Sequence, residues 1–328
     1  GWLKSIPSVP ILAPSPFLLH HAPMIANALG PVFLLILFGA LLRRINFPGA
    51  EFWPGIERLT YYIAFPALLV HRLALADFSN ADFGRFALVI CAALLLTSAL
   101  TWLLRPWVSR NAADFTSLFQ GAIRFNTYIG LAVASALFGD PGLVIAAIAV
   151  SIMIPLANIL SVICFSLVID GNSKTLSGVL KGLLTNPLIV ACVLGVALNI
   201  SGLGLGSVWI DELLARLGSA ALPLGLLAVG VALSLGTVRQ DWPTIVLASV
   251  LKFVVFPGLM LGLAMWLQLD TLSQQVLLLL ACLPTATSAY ILSRQLGGNA
   301  VMMANIISAQ TLLAFALMPV WLVAIGAG

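Results

Sequence analysis

The sequence predicts an all-α polytopic membrane protein, with ten transmembrane helices in two inverted five-helix repeats and broken crossing helices at positions 4 and 9. Three observations lead there. Hydrophobic residues make up 61% of the 328 residues and charged residues only 8%, against about 25% charged in a soluble domain. Apolar segments close to spanning length, about 20 residues, recur along the chain. Landmarks in the first half return in the second at a constant offset. So few charges cannot keep so much apolar surface in water, and lipid must cover it. The composition excludes a soluble enzyme, a disordered chain and a secreted disulfide scaffold.

The first segment runs from about Ile25 to Leu42 and stops at Arg43-Arg44. The second covers Leu59 to Leu75 and holds Pro66; the third covers Phe86 to Leu104. The fourth runs from Phe115 to Gly139, and the fifth from Leu143 to Val168 with Pro155 and Asn158 inside. The sixth follows Asn186-Pro187 and ends near Ile200. The seventh covers Ala220 to Leu235 with Pro223, and the eighth Ile245 to Leu267 with Lys252 and Pro257. The ninth runs from Val276 to Leu296 with Pro284, and the tenth from Ala300 to Ile325 with Asn305, Gln310 and Pro319. Ser173 to Leu184 and Trp209 to Leu217 are amphipathic and read as short interfacial helices. Gly202 to Gly206, a Gly-Leu-Gly-Leu-Gly run, reads as turn glycines because no strand precedes it. Residues 1–23 are Pro-rich and lack a signal-peptide pattern, and read as an extension, a non-native origin being left open. The expected units are therefore 1–23, a first repeat over 24–170 and a second over 171–328.

Basic residues set the expected orientation. Arg43, Arg44, Arg58, Arg105, Arg110, Lys174, Lys181 and Arg239 lie on one side, and Lys4, Arg72, Arg85 and Arg216 on the other. The richer side is expected to be cytoplasmic in a plasma (inner) membrane, with both termini outside. The four cysteines, Cys91, Cys164, Cys192 and Cys282, sit in apolar runs without metal-ligand spacing and read as small buried hydrophobes. Neither a metal, a cofactor, a catalytic group nor a nucleic-acid partner is expected.

The repeat shows in three landmarks. Pro66 and Pro223 differ by 157, Asn126-Thr127 and Pro284-Thr285 by 158, and Gly139-Asp140-Pro141 and Gly297-Gly298-Asn299 by 158. Each half holds five segments, an odd number, so the second copy enters the membrane the opposite way round. Segment 4 places Asn126-Thr127 in mid-membrane, where Asn is a poor helix residue and a good N-cap. Segment 9 places Pro284 there, which lacks an N–H and blocks the preceding turn. Two half-helix N-termini meeting at mid-membrane would offer N–H groups and positive potential to an anion. A proline kink bonded by Thr285, Thr287 and Ser288, with no ligand, is the competing reading for segment 9.

None of the acidic residues falls mid-segment, whereas Arg124, Lys252 and Arg294 do. Intramembrane charges are costly and face cavities or partners. Arg124, beside the break, is the best placed to meet a carboxylate, Lys252 is a second candidate, and Arg294 reads as snorkelling. A cation, were one co-transported, would have to use neutral groups such as Asn126, Thr127, Asn305, Ser308 and Gln310.

Phe119 to Leu131, then Ala136-Leu137-Phe138-Gly139, resemble the fourth span of the auxin efflux carrier family. Ile154 to Leu160, Pro31 to Gly39, Ala64 to Leu69 and Thr185 to Leu188 also match its pattern, so the resemblance covers Met24 to the C-terminus. It implies a scaffold from spans 1, 2, 6 and 7, often a homodimer, and a mobile transport domain from spans 3 to 5 and 8 to 10. The family's crossover Asn maps to Asn126 and its span 9 proline to Pro284. Phe125 stands where the plant branch has Pro, and no long central loop is present, which favours a small carboxylate over auxin. The expectation is a secondary carrier of a small organic anion, a malonate-like or malate-like carboxylate or else an auxin-like acid, working by alternating access, which the resemblance implies is of the elevator type. The expected binding residues are Arg124, Asn126, Thr127, Lys252, Pro284, Thr285, Thr287, Asn305 and Gln310. The alternatives are a sodium-coupled symporter resembling bile acid carriers and a non-transporting ligand sensor.

Overall fold

A computed structural model describes residues 16–76, 83–108, 111–169, 185–233, 238–324 and 326. Among them every regular element is helical. Five stretches are long and apolar enough to cross a membrane: Phe83–Leu103, Ala112–Val168, Val208–Ala232, Trp242–Trp266 and Ala300–Ala324. The exposed surface is studded with large apolar side chains, such as Leu34, Leu103, Leu167, Val193 and Val320. That surface suits lipid, and the chain is a multi-pass membrane protein.

Helix α1 spans Pro16–Arg44. It starts earlier than the apolar pattern suggests, so part of the expected extension is helical. Pro16 costs the first turn no hydrogen bond, and Phe17-Leu18-Leu19 prolong the apolar run. Next come α2 (Phe52–Leu59), a π-helical turn (Thr60–Ala64) and α3 (Phe65–Ala74). Then follow α4 (Phe83–Leu103), the single turn α5 (Arg105–Val108), α6 (Ala112–Ile123) and α7 (Thr127–Val168), the last kinked at Gly139 with φ 62°. The expected interfacial helix at Ser173 to Leu184 lies outside the described residues. The chain resumes with α8 (Pro187–Ile200), α9 (Val208–Ser219) and α10 (Ala221–Ala232). Gly202, Gly204 and Gly206 all have positive φ and make the turn before α9, a conformation open to Gly at no steric cost.

The second half continues with α11 (Val238–Val250), a π-helical turn (Leu251–Val255) and α12 (Phe256–Trp266). It ends with α13 (Thr271–Ala281), α14 (Ser288–Leu296) and α15 (Ala300–Ala324). Both π turns precede a proline at the second position of the next helix, Pro66 and Pro257. Pro257 has no N–H for the Phe253 carbonyl four residues back. The Trp321 indole Nε1 donates to that carbonyl instead, at 2.7 Å.

The helices pack in two groups. In one, α1 lies along α10, and α3 against α8 and α9. The contact is backbone to backbone: a Cβ added at Gly39 would meet the Leu227 carbonyl oxygen at 2.2 Å, and one at Gly230 the Ile36 carbonyl oxygen at 1.9 Å. Small residues permit this approach where lipid supplies no hydrophobic drive between helices. In the other group, α12 packs on α4 and α13, and α6 on α11 and α15. The groups meet through α7, and through ring contacts such as Phe65 stacked on Tyr128 at 4.7 Å. An ion pair joins Arg72 of α3 to Asp140 at the α7 kink.

Candidate functional site

Two helix interruptions meet at the centre of the second group. The first covers Arg124, Phe125 and Asn126, between α6 and α7. Arg124 and Asn126 have extended backbones, and the Asn126 side chain accepts hydrogen bonds from the Tyr128 and Ile129 N–H groups at 3.1 and 3.3 Å. Asn126 thus caps α7, as an Asn ahead of a helix tends to do. The second interruption covers Leu283 to Ala286, between α13 and α14. The Asn126 N–H donates to the Pro284 carbonyl at 2.8 Å, so the two breaks are bonded directly to each other.

Neighbouring side chains hold this junction. Gln310 of α15 accepts from the Thr285 N–H at 3.0 Å and from the Thr285 hydroxyl at 2.7 Å. Its amide donates to the Gly121 carbonyl at 3.0 Å. Gln120 donates to the Ser293 hydroxyl at 3.0 Å, tying α6 to α14. At the start of α6, Asn299 donates to the Asp114 carboxylate at 2.8 Å, and its carbonyl accepts from the Ser117 hydroxyl at 2.9 Å. The Gln310 bonds satisfy a backbone N–H and a carbonyl that the broken helices free, which is required where water is excluded.

A cavity of about 600 Å³ lies against the breaks. This is within the usual size for a small-molecule site, roughly 300–1,000 Å³. Exposed Pro54, Glu57, Arg58 and Gln295 and buried Arg124, Phe125 and Asn126 all line it. Arg124 is only 9% exposed. Its Nη2 donates to the Ser288 hydroxyl at 3.0 Å, and its Nη1 is buried without a hydrogen-bond partner. Beside it, α14 begins at Ser288 with no side-chain cap. Asn126 takes the first N–H groups of α7, and in α14 the Ala289 and Tyr290 N–H groups donate to the Ala286 and Thr287 carbonyls, both at 3.0 Å. The positive end of α14 and the free Nη1 of Arg124 lie together at the cavity wall.

Of the expected binding residues, Arg124, Asn126, Thr127 and Thr287 line the cavity. Pro284, Thr285, Asn305, Gln310 and Lys252 are buried away from it. Thr285 and Gln310 direct their polar groups at each other and at Gly121. Lys252 is wholly buried in the second π turn, its Nζ 4.6 Å from the Phe256 ring centroid with no hydrogen-bond partner. Arg294 is exposed, in keeping with snorkelling. The cavity also takes in residues absent from the expected set: Glu57, Tyr61, Tyr62, Tyr128, Asn158, Asn186 and Ser288. Asn186 caps α8 and lines the cavity, so one side chain shapes a helix start and a cavity wall. Its Asn-Pro signature marks a cap in the sequence, but nothing local shows that it faces Arg124.

Known transporters resemble this chain along most of its length. The family described as Membrane transport protein matches residues 24–322. An uncharacterized transporter of Methanothermobacter thermautotrophicus is 26% identical over 298 residues, covering 88% of this chain and 95% of that protein. A protein of Rhizobium meliloti named "Putative malonate transporter" is 28% identical over 290 residues, covering 81% of this chain and 85% of its own. These relatives are transporters rather than enzymes. The chain belongs to the membrane transport protein family, the auxin efflux carrier family that its motifs resemble.

Proposed function

We propose that this transporter is a secondary carrier of a small organic anion, a malonate-like or malate-like carboxylate, working by alternating access in the plasma membrane. The single observation that supports this most is the buried Arg124, with a free Nη1 on the wall of a cavity beside the start of α14. A guanidinium and a helix N-terminus converging on one cavity suit a carboxylate. The malonate name given to one relative points the same way.

In this reading ten membrane-crossing segments form two inverted repeats, 24–170 and 171–328, and segments 4 and 9 cross where Asn126 bonds Pro284. The helices α1–α3 and α8–α10 make a scaffold that pairs two copies as a dimer. The helices α4–α7 and α11–α15 make the moving unit. The packing into two groups supports that division. The cavity opens at the Arg58 end of segment 2, the cytoplasmic side by the charge count. At the other end of that segment, Arg72 holds Asp140 of the moving unit, closing the outer side. Outward opening then requires that ion pair to break.

Uptake of labelled malonate and malate into proteoliposomes tests the reading. Wild type should accumulate label, and Arg124→Ala should transport at about a tenth of the wild-type rate or less, from the loss of a charged hydrogen bond of about 1.5–3 kcal/mol. No carboxylate uptake by wild type, or full activity in Arg124→Ala, would count against it.

A further inference from the structure

The charges that line the cavity extend the proposed reading, and the inference rests on it. We propose that the site takes one negative charge per guest: it binds monocarboxylates, and dicarboxylates with one carboxyl protonated, and it rejects dianions.

The titratable groups facing the guest are Glu57, Arg58, Tyr61, Tyr62, Arg124 and Tyr128. Partial burial holds the Glu57 carboxyl above the usual carboxylate range. With it ionised, two guanidinium groups and one carboxylate leave one net positive charge. Their placement matters as much as the total. Arg124 lies buried in the wall, with one nitrogen held by Ser288 and one free. Glu57 and Arg58 are neighbours on α2, both exposed and both on the cavity wall. One carboxylate can take the free Arg124 donor. A second, ionised, would share the cavity with the Glu57 carboxylate. Lys252 supplies no second anchor, because its Nζ is walled off beside Phe256 and does not reach the cavity.

Movement strengthens the preference. Arg124 belongs to the proposed moving unit, whereas Glu57 and Arg58 belong to the scaffold. A monoanion paired with Arg124 crosses as a neutral load. A dianion would carry one uncompensated negative charge through a low-dielectric barrier, which is strongly disfavoured.

The test measures binding to the purified full chain by calorimetry, with malonate and monomethyl malonate, between about pH 5.5 and 8. Monomethyl malonate is a monoanion throughout, and its Kd should stay within about twofold. Malonate should weaken by about tenfold per pH unit above its second ionisation, as the monoanion disappears. Glu57→Gln should lessen the penalty at the high end by several-fold. A malonate Kd that is flat or tightens with rising pH, while still lost in Arg124→Ala, overturns the one-charge rule and leaves the carboxylate reading standing. Failure of both ligands to bind, or equal binding by Arg124→Ala, removes the carboxylate reading and this inference with it.

Discussion

Gln310 offers a sharp test of what holds the two breaks together. Its side chain makes three hydrogen bonds in a fully buried setting, two received from Thr285 and one given to Gly121. In Gln310→Ala all three go. The Thr285 hydroxyl lies 3.1 Å from the Gly121 carbonyl and can turn to it, recovering one. The Thr285 N–H is left without a partner. A buried unsatisfied donor costs about 1–3 kcal/mol, and the lost side-chain packing adds about 1 kcal/mol, so the total is about 2–4 kcal/mol. Thermal unfolding of the detergent-solubilised protein should show a Tm lower by about 4–10 °C. Because Gln310 lies away from the cavity, saturating malonate should still raise the Tm of the variant. An unchanged Tm together with loss of the malonate-induced rise would refute the reasoning, since Gln310 would then be a ligand contact rather than a brace.

Three further substitutions probe the rest of the frame. Asn126→Ala removes the cap of α7 and should destabilise by about 0.5–2 kcal/mol, seen as a lower Tm with expression retained. Gly230→Leu puts a side chain where the Ile36 carbonyl oxygen lies 1.9 Å from the place a Cβ would take, so α1 and α10 must separate; a loss of at least about 1–3 kcal/mol should appear as poor recovery of monodisperse protein on size-exclusion chromatography. Lys252→Met removes a buried amine that has no hydrogen-bond partner and keeps the volume, and should raise the Tm by an amount worth about 1–3 kcal/mol; a lower Tm would mean that the amine is satisfied.

Features that depend on local chemistry were legible in the chain. Composition alone implies lipid around the helices, because 8% charge cannot solvate this surface. The break before α7 follows from Asn126, which caps better than it continues a helix, and the break before α14 follows from Pro284, which has no N–H to give. Arg124 stood out because a guanidinium amid an apolar run demands a cavity or a partner. The π turns went unread, since a wide turn ahead of Pro66 or Pro257 depends on how the strain is shared with neighbours such as Trp321.

What the sequence determined by itself is therefore where the backbone must stop being a helix and which residue brings positive charge to that place. What only the tertiary structure decided is which polar groups remain free there. Thr285 and Gln310 share the polarity of Thr287 and Ser288, yet the former turn inward and consume one another while the latter face open space. Glu57, Tyr61 and Asn186 reach the same cavity from distant parts of the chain. Helix rotation and packing assign these roles, and both follow from the sum of contacts between segments rather than from any residue's own preference.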